Sequence, residues 1–208
     1  HCVQILRLAL CTRLEAAEPL RAQALAPLAQ PVADIARRLR PAQREHLERR
    51  FAEKNAEWAD KHMQRNLQAR WDAAAERSID YTERFYGRLS REQKRWIAQR
   101  VQRSPWRPEN DLSERQLRQR DTLATLQALA APGLPRDEAR AIATAWLERL
   151  SAPVDRPHAE ARDTARRYLC DMAADFHRQQ ASAAQRRHLA EVLQGWQGDI
   201  DHFLLHPL

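Results

Sequence analysis

Glycine is scarce, with only 4 in 208 residues. Tight hairpins and phosphate-cradling loops both consume glycine, which argues against a β-rich fold and against a Gly-rich nucleotide loop. Lysine is nearly absent: Lys54, Lys61 and Lys94 are the only ones, so almost every cationic side chain is an arginine. There is no apolar run long enough to span a membrane and no period-2 apolar run bounded by turn residues. No G-x-S-x-G elbow occurs, and the eight histidines show neither H-E-x-x-H nor Cys/His ligand spacing. No metal, cofactor or enzymatic activity is therefore expected.

What remains is rich in Ala, Leu, Arg, Glu and Gln, all strong helix formers. The expectation is an all-α fold, an elongated bundle of about seven to nine helices. The formal net charge is +7 and the isoelectric point about 10.0. Acids are interspersed with the arginines, as in REHLERRFAEKNAEW. That pattern belongs to surface pairs one helical turn apart more than to a nucleic-acid stripe.

From Pro41 the apolar spacing runs through Leu47, Phe51, Trp58, Leu67, Trp71, Ile79 and Phe85 until Gly87, a natural helix stop. It predicts one long helix over about 41–86, roughly 65–70 Å if unbroken, with a phase slip and a bend near 61–66. SPWRPEND and APGLP mark later breaks. The short linkers suggest a single domain over 1–208, with a hinge near 131–135. Tryptophans 58, 71, 96, 146 and 196 fall at core phases, whereas Trp106 sits in a turn as a plug. Asn55 is a poor mid-helix residue and is expected to bond a neighbouring helix end.

Three segments share a start pattern: LRPAQREHL (39–47), LSREQKRW (89–96) and ASAAQRRHL (181–189). Ser90 and Ser182 occupy N-cap positions with Gln93 and Gln185 at N3, the arrangement of a capping box. In the first copy the cap would be Arg40, a poor one, followed by Pro41 at N1.

HLERRFAEKNAEW (46–58), RFYGRLSREQKRWI (84–97) and RSPWRPE (103–109) together resemble an uncharacterised family of proteobacterial lipoproteins. Its members pair L-E-R-R-F-x-x-x-N-x-x-W with a later Y-G-x-L-x-x-x-Q and S-P-[FW]-x-P. YLCDMAADFHRQQASAAQRRHLAEVL (168–193) resembles that family's Cys-bearing C-terminal helix pair more loosely. The resemblance implies an exported, lipid-anchored, all-helical periplasmic protein and brings no activity with it. The chain begins HCVQILRLAL, in mid-helix pattern, so the lipobox is expected to lie in a segment preceding it. A weaker likeness is to periplasmic stress chaperones of the Spy/CpxP type, whose L-T-x-x-Q motif Leu89–Gln93 matches with Ser for Thr.

Export would place Cys2, Cys11 and Cys170 in an oxidising compartment, where distant cysteines pair. Cys2 and Cys11 face opposite sides of a helix, so the expected bridge joins Cys170 to the N-terminal helix, through Cys11 in preference to Cys2. The other reading is three small buried thiols. The expected function is non-enzymatic binding of a protein or envelope component, chaperone- or adaptor-like. Its candidate surface is Arg49, Arg50, Lys54, Arg91, Lys94 and Arg95. Nucleic-acid binding, suggested by the isoelectric point alone, and an enzyme with an unrecognised site are the alternatives.

Overall fold

The computed structural model describes residues 23–64 and 66–205, with side chains up to Gln197. Among these residues there is no strand, and the chain is all-α. Eight α-helices follow in order: α1 (Ala29–Ala36), α2 (Pro41–His62), α3 (Leu67–Tyr86), α4 (Arg91–Gln102), α5 (Pro108–Leu129), α6 (Arg136–Ser151), α7 (Arg156–Asp175) and α8 (Ala183–Leu205). A 3₁₀ turn (Ala26–Leu28) precedes α1 and a π-helical turn (Phe176–Gln180) follows α7.

The single helix expected over 41–86 is two helices. At Met63 the backbone leaves the helical region (φ −120°, ψ 41°), and the Gln64 side chain donates to the Lys61 carbonyl at 2.7 Å. Asn66 then starts α3, its Oδ1 accepting from Ala69 N at 3.0 Å. Asn is among the strongest N-caps, and it converts the anticipated bend into a stop and restart. The break also marks a boundary between two compact units. Of the described residues, one unit holds 66–104 and 168–205, the other 23–64 and 105–167. The 131–135 turn lies inside the second.

In that second unit the core is built largely of alanine. Ala29, Ala33 and Ala36 of α1 bury against Ala139, Ala143 and Leu147 of α6 and Leu129 of α5. The small side chains recur every three or four residues on both α1 and α6, so the two backbones can approach closely. Arg118 of α5 fastens the end of α6 by donating to the carbonyls of Leu150 (2.9 Å) and Ala152 (2.8 Å). These are carbonyls that the helix itself leaves unpaired. Glu114 holds the guanidinium from its other side at 2.6 Å. Asn55 bonds the middle of α5, not a helix end: its Nδ2 donates to Gln119 Oε1 (2.7 Å) and its Oδ1 accepts from Gln119 Nε2 (3.1 Å). Trp106 closes its corner by donating to Asp111 at 2.7 Å and by setting its edge against His62, which stacks on Trp58.

The first unit packs Leu89, Ile97, Phe176 and Ala181 into a core ringed by Ile79, Tyr86, Trp96, Val101 and Met172. Gly87 ends α3 with φ +72°, a conformation that side-chain-bearing residues avoid. Helix α7 runs from one unit into the other. It ends in the π turn, where Ala181 N donates to Phe176 O at 2.9 Å.

Candidate functional site

Both serine–glutamine boxes form and lie in the same unit. Ser90 N donates to Gln93 Oε1 (2.8 Å) and Gln93 N to Ser90 Oγ (3.2 Å). Ser182 N donates to Gln185 Oε1 (2.9 Å) and Gln185 N to Ser182 Oγ (3.2 Å). The two glutamines also meet. Gln93 Nε2 donates to Gln185 Oε1 (2.8 Å) and Gln185 Nε2 to Gln93 Oε1 (3.2 Å). Each then reaches the carbonyl two residues before the other's cap: Gln93 to Gln180 O (2.8 Å), Gln185 to Arg88 O (3.1 Å). The result is a local two-fold clasp. Every donor and acceptor site of both amides is used, and reversing either amide would set oxygen against oxygen. The third copy stays a local cap: Gln43 Oε1 accepts from Arg40 N at 2.9 Å.

Around the clasp, Tyr86 OH lies 3.1 Å from His177 Nδ1. Burial raises the phenol to about 12, so it serves as a hydrogen-bond donor. Burial, and then the Arg186 guanidinium, hold His177 below its ordinary value. With its proton on Nε2, neutral His177 accepts from the phenol at Nδ1. Arg186 itself donates to Ala181 O at 2.7 Å. Lys94 and the Leu89 amide hold Glu83 below the usual carboxylate range. Arg100 pairs with Asp175 and lies over the Trp96 ring at 5.0 Å. These contacts knit α3, α4, α7 and α8.

The surface of the same unit carries a row of rings. Tyr81 and Phe85 of α3 lie 5.2 Å apart, and Phe85 meets Trp196 of α8 edge-on at 5.3 Å. Tyr81 is 61% exposed, Trp196 52% and Leu193 47%, with Phe85 half-buried among them. Trp196 therefore departs from the core position its phase suggested. The phase locates a face of α8, and only the neighbours decide whether that face is covered.

The six cations expected to form one surface fall on two helices in different units: Arg49, Arg50 and Lys54 on α2, and Arg91, Lys94 and Arg95 on α4. Four are engaged in ion pairs: Arg50 with Glu53, Lys54 with Glu57 (2.6 Å), Lys94 with Glu83 (2.8 Å) and Arg95 with Glu92 (3.2 Å). Cys170 is 1% exposed and disulfide-bonded. Cys2 and Cys11 lie outside the described residues, and so does the expected pairing through Cys11.

Among the described residues no group of His, Cys, Asp and Glu is arranged to hold a metal ion, and no helix is long and apolar enough to cross a membrane. No family model, curated protein or solved structure matches the chain.

Proposed function

We propose that this chain is a non-enzymatic helical domain of an exported, lipid-anchored envelope protein, binding another protein or envelope component in the manner of a chaperone or adaptor. The observation that carries the reading is the row Tyr81, Phe85, Trp196 and Leu193. Three of these four large apolar side chains are about half exposed or more, and ring contacts through Phe85 join Tyr81 to Trp196. Contiguous apolar surface of this kind marks interaction sites, and Tyr and Trp anchor interfaces disproportionately. The envelope setting draws on the lipoprotein resemblance of 46–109. The buried, disulfide-bonded Cys170 supports an oxidising compartment.

The test is chemical cross-linking of the full-length protein in intact cells, followed by membrane fractionation and identification of its neighbours. Recovery in the envelope fraction with reproducible cross-linked neighbours is expected. A cytoplasmic protein, or an envelope protein with no neighbours, would overturn the proposal.

A further inference from the structure

We propose that the exposed side of α1, with the arginine corner that follows it, is a docking element for an anionic lipid surface. The inference adds a contact of its own to the proposed function and does not rest on the row of rings.

Helix α1 has two unlike sides. Ala29, Ala33 and Ala36 are sealed in the alanine core, whereas Leu28 is 45% exposed and Ile35 64%. Leu28 leads into α1 in helical conformation (φ −78°, ψ −8°). It precedes Ile35 by seven residues, two turns, so the two share a face. Pro31 lies between them and is also exposed. At the far end the helix tightens: Arg38 N donates to Ile35 O at 3.0 Å. In such a 3₁₀ turn residues three apart eclipse, which sets Arg38 at the end of the apolar stripe.

The corner between α1 and α2 gathers positive charge. Arg37, Arg38 and Arg40 are exposed, and Arg44 reaches back from α2 to donate to Leu39 O at 3.0 Å. Arg37, Arg38 and Arg40 make no ion pair among the described residues. Over 23–44 these four arginines face a single acid, Asp34. Asp34 precedes Arg38 by one turn, yet it accepts from Gln30 at 2.9 Å and pairs with Arg136 at 3.7 Å. Glu45 and Glu48, further along α2, begin the mixed charge of that helix.

A bilayer fits this combination better than a folded partner does. Two aliphatic side chains exposed to this extent offer on the order of 100 Å², far below the about 800 Å² per partner of a stable protein interface. An interfacial helix needs only a few apolar side chains dipping below the headgroups, with cations at the level of the phosphates. Guanidinium forks match phosphate oxygens. A contact of this size is weak and reversible, and it orients a domain that a lipid anchor already holds at the membrane.

The test is co-sedimentation of the full chain with vesicles of phosphatidylglycerol mixed into phosphatidylcholine, against vesicles of phosphatidylcholine alone. Binding to the anionic vesicles should be at least about tenfold tighter and should fall as salt is raised. Arg38→Gln with Arg40→Gln should weaken it about twentyfold, and Leu28→Ser with Ile35→Ser about tenfold. All four sites are exposed, so helicity by circular dichroism should not change.

No vesicle binding, equal affinity for the two vesicles, or indifference to either pair of changes would overturn the inference. Loss of vesicle binding in Tyr81→Ser with Trp196→Ser, but not in the α1 variants, would assign lipid to the rings and overturn it too. A photo-cross-linker at position 35 that captures a protein in cells, without vesicle binding, would give the stripe to a protein partner instead. If vesicle binding fails while envelope neighbours persist, only this inference falls. If the protein is cytoplasmic while vesicle binding holds, the proposed function falls.

Discussion

Replacing Gln93 by alanine is the sharpest probe of the glutamine clasp. Gln93 is 7% exposed, and its amide makes four hydrogen bonds: from Ser90 N and Gln185 Nε2, and to Gln180 O and Gln185 Oε1. Each is worth about 1 kcal/mol net, and a buried group left unpaired costs about 1–3 kcal/mol. Ser90 is exposed, so water replaces part of what is lost there. The expected cost of Gln93→Ala is about 2–3 kcal/mol, a large share of a domain stability of about 5–15 kcal/mol. Gln185→Ala should cost less, and the double variant should show a coupling of about 1 kcal/mol.

Gln93→Glu discriminates further. It sets a carboxylate oxygen where Nε2 now stands, 2.8 Å from two acceptors, Gln180 O and Gln185 Oε1. Burial among acceptors raises the folded-state pKa of the new carboxyl above its unfolded value of about 4.3. A raised carboxyl pKa means the protonated form is the one the fold tolerates. Relative to the unsubstituted chain, this variant is therefore least destabilised below about pH 4.3, and the penalty grows as pH rises through the folded pKa. The assay is urea unfolding followed by far-UV circular dichroism, with hydrogen exchange over residues 90–97. An alanine cost below about 1 kcal/mol, or a coupling near zero, would refute the claim that the two boxes act as one clasp.

Arg118→Ala should cost about 2–3 kcal/mol in thermal or urea unfolding, and Arg118→Lys should restore only part, because a single ammonium cannot serve Glu114 and two α6 carbonyls in the fork geometry. His177 is held below its ordinary value by burial first and Arg186 second. Its stabilising effect is present above about pH 6.5 and is lost as pH falls through the depressed folded pKa. The melting temperature should drop on acidification below pH 6.5, with a shallower slope in His177→Gln. Gly87→Ala should cost about 1–3 kcal/mol through backbone strain alone, because φ +72° with ψ −162° is a region essentially confined to glycine. The His188 ring stands 3.6 Å from where the added Cβ would lie, so truncating His188 to Ala should not relieve that cost.

The all-α class and several helix ends were legible in local signals. Scarce glycine, abundant helix formers and local start signals act within a few residues, so they can be read from the chain directly. Gly87 at the end of α3 is of this kind, as are Ser90 with Gln93 and Ser182 with Gln185. Asn66 carried a start signal that the continuing apolar spacing hid, and the long helix of 41–86 became two.

Tertiary structure decided what no local pattern encodes. The meeting of Gln93 with Gln185 joins residues 92 positions apart, and each side chain already looks satisfied by its own cap. Asn55 found Gln119 across 64 positions. The alanine seam of α1 and α6 depends on two separate stripes being apposed. The exposure of Trp196 follows from what does not pack against that face of α8. Periodicity fixes which side chains share a helix face. Only packing brings that face to a partner or leaves it to solvent.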